Sequence, residues 1–229
     1  MSDEEEVGCK VEYLDTIDGS PEESNWIVRA GRARVTYPNG CIFEGTFDAE
    51  RIKQGPGLFI WMKPGEDDEA PTERARYEGN YKDGIRSGFG KMTFPSGDIY
   101  EGEWLDNKMH GEGSYHYKKS GDIYSGSWAF NLKNGEGRYE FGVDNSILVG
   151  VWKNGQIGKG TWEFKGAGKY EGEFKLGRPL GEGRFEFLNG ISQEGEYVET
   201  KGEEEEEVGE EGEPVPPNVT WKGHPIVSF

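Results

Sequence analysis

Aliphatic residues are scarce in this 229-residue chain, and so are the residues on which most site chemistry is built. Only 33% of positions are hydrophobic, and there are three histidines and two cysteines. So few aliphatics argue against the thick, multilayered core of a large catalytic domain. Cys9 and Cys41 imply no disulfide framework, and no Cys or His spacing suits zinc. No run approaches the roughly 18 apolar residues of a membrane span. The opening Met1-Ser2-Asp3-Glu4-Glu5-Glu6 lacks the basic and apolar regions of a secretory signal, so a soluble intracellular protein is expected. Basic charge is also short, with 26 Lys and Arg against 44 Asp and Glu, a net of −18. Residues 1–25 carry −8 of this and residues 198–229 carry −7, which leaves −3 for the body. Both ends repel phosphate, so neither nucleic acid nor an anionic membrane is an expected partner.

Glycine and aromatic rings are plentiful: 37 Gly beside seven Trp, eleven Tyr and twelve Phe. A glycine-rich, apolar-poor chain is normally disordered, but rings are depleted in disordered segments. A repeat resolves the conflict. Tyr77-Glu78-Gly79-Asn80-Tyr81 recurs as Tyr100-Glu101-Gly102-Glu103-Trp104, Tyr124-Ser125-Gly126-Ser127-Trp128, Leu148-Val149-Gly150-Val151-Trp152 and Tyr170-Glu171-Gly172-Glu173-Phe174. The starts are 23, 24, 24 and 22 residues apart. An earlier copy begins at Phe43, a last half-copy at Gln193, and Gly31–Tyr37 resembles the second half of a copy whose first half contains Trp26. About eleven residues after each start comes a glycine pair, such as Gly88 and Gly90 or Gly111 and Gly113, followed by an aromatic return segment and a turn signal.

Alternation with period two makes each half a strand. Tyr100, Gly102 and Trp104 share one face and Glu101 and Glu103 the other; on the return, Gly113, Tyr115 and Tyr117 share a face. Two such strands and a short turn make a hairpin, and hairpins of this size are stable only when paired edge to edge. The expected fold is all-β: an elongated, twisted, single-layer antiparallel sheet of consecutive hairpins between acidic flexible tails. A glycine between two aromatics lets neighbouring rings lie over bare backbone, so a ring ladder can hold one layer together.

These copies resemble MORN repeats, whose pattern runs Tyr-Glu-Gly-x-Trp, a glycine turn, His-Gly-x-Gly and an aromatic return strand. The copy from Tyr100 to Ile123, with Lys108-Met109-His110-Gly111-Glu112-Gly113, matches nearly every position. Leu148 departs from the pattern, and the copy it begins has a shorter glycine turn. The order Gly195-Glu196-Tyr197, the acidic run Glu203 to Glu207, then Trp221-Lys222, is also similar to the radial spoke head 1 homologues of motile cilia and flagella. That resemblance implies a cytoskeletal protein of the axoneme, in the cytoplasm of the cilium or flagellum, with other radial spoke proteins as partners.

The domain expectation is an acidic N-terminal tail over 1–25 and a repeat sheet over 26–197 with an acidic surface insert at 63–76. An acidic linker over 198–213 and a docking segment over 214–229 follow. Catalysis finds no convergent groups: His110 sits at a turn position, His116 on a polar face, His224 in the tail. The Gly-x-Gly pairs lack the helix that a phosphate loop requires. No enzyme activity, cofactor or metal is expected. The expected function is protein scaffolding, with Tyr81, Tyr100, Trp104, Tyr115, Tyr124, Trp128 and Trp152 lining an aromatic groove and Trp221 docking in cis or in trans. Edge strands at Trp26–Val28 and Gln193–Tyr197 also offer strand addition or a homodimer. The alternative is a cytosolic or membrane-contact adaptor that binds phospholipid or a motor protein; the densest basic stretch available to it is Arg74, Arg76, Lys82 and Arg86.

Overall fold

The computed structural model describes residues 8–15, 22–25, 27–65, 70–200 and 218–225. Contacts divide the chain into two compact units, Met1–Lys119 and Ser120–Phe229. All regular structure among the described residues is β.

The first unit contains β1 (Lys10–Tyr13), β2 (Glu22–Ser24), β3 (Gly31–Thr36), β4 (Ile42–Phe47), β5 (Lys53–Lys63), β6 (Thr72–Lys82), β7 (Ile85–Thr93), β8 (Ile99–Leu105) and β9 (Lys108–His116). From β3 to β9 each strand pairs antiparallel with the next. β1 pairs with both β2 and β3. The second unit contains β10 (Ile123–Ala129), β11 (Leu132–Glu140), β12 (Ile147–Lys153), β13 (Gln156–Phe164), β14 (Gly168–Lys175), β15 (Arg178–Phe187), β16 (Ser192–Glu199) and β17 (Val219–Gly223), again each antiparallel to the next. Five two-residue turns join the hairpins of the regular copies: Asp83-Gly84, Asp106-Asn107, Phe130-Asn131, Asn154-Gly155 and Leu176-Gly177. Both residues of each have positive φ, the geometry whose twist matches that of the flanking strands.

Register is set by glycine. In the first unit Gly45, Gly57, Gly79, Gly90, Gly102 and Gly113 are successive cross-strand partners. In the second the row runs Gly126, Gly137, Gly150, Gly160, Gly172, Gly183, Gly195 and Gly223. The first ring of each copy lies over two of these glycines. A Cβ on Gly102 would stand 2.6 Å from the Tyr100 hydroxyl, and one on Gly113 would collide with the same ring. Tyr77 covers Gly79 and Gly90, Tyr124 covers Gly126 and Gly137, and Tyr170 covers Gly172 and Gly183. In the copy that begins with Leu148, Ile157 reaches back over Gly150 and Gly160 with its Cδ1 and supplies the missing cover. Tyr77, Tyr100, Tyr124 and Tyr170 are fully buried although the sheet has one layer. Each such ring brings about 2–3 kcal/mol of burial, which is how a chain poor in Leu and Val holds together.

Four boundaries differ from the sequence reading. Residues 1–25 are not all tail: Val11 and Tyr13 of β1 are buried, and the Tyr13 hydroxyl accepts the Val28 and Arg29 amides while donating to Arg29 O. Two apolar side chains on one face outweigh the acids around them. The insert at 63–76 is mostly hairpin, since Lys63 pairs with Thr72 and Trp61 with Ala75; Ala75 is buried and Glu73 grips Arg76 through two hydrogen bonds. Ile27 and Val28 are not in a strand, and the edge lies at β2 instead; Trp26 lies outside the described residues. Gln193–Tyr197 is not an edge either. β17 covers it, with Gly223 opposite Gly195 and Trp221 opposite Tyr197. The acidic linker of the sequence reading begins after Glu199, and its residues 201–213 lie outside the described residues.

If the ring-on-glycine contact holds the sheet, methyl groups on the two kinds of glycine behave differently. Gly113→Ala forces a methyl into the Tyr100 ring and costs about 3 kcal/mol or more. Gly158→Ala, at a glycine with no neighbour within 4 Å, changes stability by less than about 1 kcal/mol. Urea unfolding of both variants reads the difference; equal losses would contradict the contact.

Candidate functional site

The sheet brings rings together in two rows. The inner row consists of edge-to-face pairs: Phe43–Tyr81 at 5.3 Å, Tyr81–Tyr77 at 5.4 Å, Tyr77–Trp104 at 5.3 Å and Trp104–Tyr100 at 5.3 Å in the first unit. In the second unit Tyr124 stands between Trp128 at 5.1 Å and Trp152 at 5.2 Å, and Tyr170 meets Tyr197 at 5.3 Å. This is the geometry that ring quadrupoles favour. Tyr77, Tyr100 and Tyr124 each donate a hydrogen bond to the carbonyl three residues on, at Asn80, Glu103 and Ser127. Tyr170 makes no such bond, and its buried hydroxyl finds no partner among the described residues. Burial pushes the phenols of Tyr77 and Tyr170 up to about 12.

The inner row corrects the groove. Tyr81, Tyr100, Trp104, Tyr124, Trp128 and Trp152 are the buried core of their units, not an open lining. Alternation shows which face a ring takes, but not that glycine lets the ring lie down on its own backbone and leave no room for a guest. Tyr115 belongs to a second, half-exposed row. Its ring meets Phe94 at 5.6 Å and Tyr117 at 4.5 Å, and its hydroxyl donates to Asp98 at 3.0 Å. Asp98 also accepts the Lys118 amide, and Asp122 repeats both bonds with Tyr139 and Gly142. Burial disfavours these two carboxylates, yet the amide and hydroxyl donors hold them below the usual aspartate range. Sequence reasoning missed this clamp, although Gly97-Asp98-Ile99-Tyr100 and Gly121-Asp122-Ile123-Tyr124 carry it visibly. Trp221 docks in cis, 5.0 Å from Phe185 and 5.2 Å from Tyr197.

One slot beside the inner row is chemically variable. Opposite the last ring of each first strand stand Lys53, Arg86, Met109, Lys133, Ile157 and Pro179 in successive copies. The Lys53 ammonium lies 4.9 Å from the Phe43 and Phe59 ring centres. Arg86 lies 4.6 Å from the Trp104 ring and donates to Asn107. Lys133 lies 5.1 Å from Tyr124 and 4.5 Å from Tyr139. Burial depresses the Lys133 ammonium to about 8, against a smaller opposing pull from Asp122. Of the basic stretch considered for lipid, Arg76 is therefore held by Glu73 and Arg86 by Trp104 and Asn107. Among the described residues no three His, Cys, Asp or Glu side chains converge as metal ligands.

Residues 77–99, 100–121, 124–145 and 170–192 match the MORN repeat family. MORN repeat-containing protein 3 of Xenopus laevis is 39% identical over 107 residues, which is 42% of this chain and 41% of that protein. Alsin of Rattus norvegicus is 30% identical over 83 residues, 36% of this chain and 5% of Alsin. The chain thus spans less than half the length of the curated relatives it matches. Among solved structures, the TCP domain of Drosophila melanogaster SAS-4, in complex with a proline-rich motif, aligns with 81% of this chain and 88% of that one, at TM-score 0.45 and 14% identity. The hairpins that begin at Tyr77, Tyr100, Tyr124 and Tyr170 are the ones that match the MORN repeat family.

Two predictions follow from the inner row. Tyr100→Phe and Tyr124→Phe each lose about 1 kcal/mol in urea unfolding, because a carbonyl loses its donor. Tyr170→Phe is neutral or stabilising, and a loss equal to the other two would show that its hydroxyl is satisfied after all. Lys133→Met imitates the slot of Met109. Because the folded state depresses the Lys133 pKa, the unfolded chain binds the extra proton and the parent gains stability as pH rises from about 8 towards 10.5. The melting-temperature difference between parent and variant therefore moves in the parent's favour between pH 7.5 and 9.5. A difference independent of pH would place the ammonium in water.

Proposed function

We propose that this protein is a non-catalytic structural scaffold that binds partner proteins, and that it works in the ciliary or flagellar axoneme as a radial spoke component. The observation that carries the scaffold reading is what converges in the fold. Rings and glycines meet in both units, and among the described residues the titratable groups brought to them are cations against rings and carboxylates on hydroxyls; where two meet, at Tyr139, Lys133 is spent on the ring face and Asp122 on the hydroxyl and the Gly142 amide. General acid–base or nucleophilic chemistry needs two or more such groups facing one point. The axonemal placement is supported by the order of Gly195-Glu196-Tyr197, the acidic run and Trp221-Lys222, which resembles radial spoke head 1 homologues.

The competing reading is an adaptor at a membrane contact or on a motor protein. Engagement of Arg76 and Arg86 within the fold leaves Arg74 and Lys82 as the exposed cations of that stretch, two where the sequence offers four.

Fractionation separates the two readings. In ciliated cells that express the tagged full chain, the protein is expected to stay with axonemes after non-ionic detergent and a moderate salt wash. Purified protein is expected to leave anionic liposomes unpelleted. Complete release by detergent, with strong capture by phosphatidylserine vesicles, would overturn the axonemal placement in favour of the membrane adaptor.

A further inference from the structure

The outward face of the sheet carries an anomaly that the fold does not require. In every copy the two residues beside the first glycine point away from the ring row. They are Glu44 and Thr46, Glu78 and Asn80, Glu101 and Glu103, Ser125 and Ser127, Glu171 and Glu173, and Glu194 and Glu196. In β12 they are Val149 and Val151, which are 42% and 57% exposed. Six other strands do without an apolar side chain at these positions, so sheet stability does not explain the two valines.

The neighbouring hairpin extends the departure. Leu132, at the start of β11, is 46% exposed and leans towards the β12–β13 turn, where a Cβ on Gly155 would lie 3.9 Å from its Cδ2. Phe130 is 56% exposed and sits at φ 51, where other turns carry Asp83, Asp106, Asn154 or the less exposed Leu176. A bulky residue in the left-handed region is unfavourable by about 1 kcal/mol or more. An exposed apolar side chain is thus kept in spite of its backbone.

Beside the valines lies a shallow cavity of about 800 Å³ on the same face. Val149 and Thr161 form one end of its lining; Glu171, Glu173, Glu182 and Glu194 lie towards the other, with Lys159 and Arg184 among them. The cross-strand order is Val149, Thr161, Glu171, Arg184, Glu194. Lys159 is paired with Glu173 at 3.1 Å and Arg184 donates to Ser192. The lining therefore carries two carboxylates in excess and grades from apolar to acidic.

We propose that this outward face of the second unit is a docking surface for a segment of another protein in which an aliphatic cluster adjoins a Lys/Arg cluster. This rests on the scaffold reading and names the chemistry of one partner. Charge complementarity selects the occupant. A second copy would bring the same acidic face against this one, and phosphate-bearing lipid or nucleic acid would be repelled by it. From β12 to β16 is four strand spacings, about 19 Å, which a segment of about 13 helical or six extended residues would cross.

The test uses the purified full chain and three fluorescein-labelled 14-residue peptides read by anisotropy. One has a Leu/Val block followed by a Lys/Arg block, the second has Glu in place of Lys/Arg, and the third has the first composition in shuffled order. The block peptide is expected to bind the parent at least tenfold more tightly than either control. V149S/V151S, which installs the residues found at Ser125 and Ser127, is expected to weaken it at least tenfold with unchanged circular dichroism and melting temperature. E171S/E173S is expected to weaken it and flatten its salt dependence. Equal binding by V149S/V151S, or by the shuffled or acidic peptide, would overturn the proposal. So would a parent dimer in sedimentation that V149S/V151S converts to monomer, which would make the face a self-interface. An axonemal protein whose peptide binding ignores these substitutions would refute this inference alone; a chain that binds the block peptide but is released from axonemes would refute only the axonemal placement.

Discussion

Everything in this fold depends on a tyrosine ring lying flat across two glycines on neighbouring strands. A one-layer sheet has no second layer to cover its rings, so it must cover them with its own backbone. Only glycine permits that approach, since any Cβ would occupy the ring's place. The same contact fixes register, because a slip of one residue between β8 and β9 would put Glu112 or Ser114 where Gly113 receives Tyr100. It also explains the half-unit at the end of the described chain. Gly223 continues the glycine row and Trp221 continues the ring stack, so β17 completes the last repeat.

The departures from the pattern are informative because the pattern is strict. Leu148 cannot lie across two glycines as Tyr does, and Ile157 from the return strand takes over that cover. The slot that holds Ile157 holds Lys53, Arg86 and Lys133 elsewhere, where a cation rests on ring faces. Charge is therefore tolerated inside the ring row only with an aromatic face beside it. On the opposite face the two residues beside the first glycine are polar in the other copies, and Val149 and Val151 break that rule without any gain to the core.

Much of this was legible in the sequence. The spacing of Tyr77, Tyr100, Tyr124 and Tyr170, the alternation around Gly102 and the glycine turns led directly to antiparallel hairpins. β1 was hidden because Val11 and Tyr13 sit among acids, and averaged composition masks two buried side chains. The span 63–76 hides its hairpin for the same reason: Glu73 reads as loop, but it pairs with Arg76 near the loop end of a longer hairpin. The candidate site was less legible. Periodicity shows that Trp104 and Trp128 face the ring side, but whether that side is open depends on how far each ring folds down, which only packing determines. The two valines stood in plain view in Leu148-Val149-Gly150-Val151-Trp152, but their meaning needed the knowledge that their face is outward and exposed.

The recurring rings are the core of the sheet and not an open groove. Hydroxyl-radical footprinting of the intact chain, read residue by residue by mass spectrometry, tests it most directly. The account predicts slow modification of Tyr77, Tyr100, Tyr124, Trp104, Trp128 and Trp152, and fast modification of Phe89, Phe130 and Phe187, which are exposed. Oxidation of these tyrosines and tryptophans at the rate of Phe130 would contradict it, because the rings would then line an open aromatic groove.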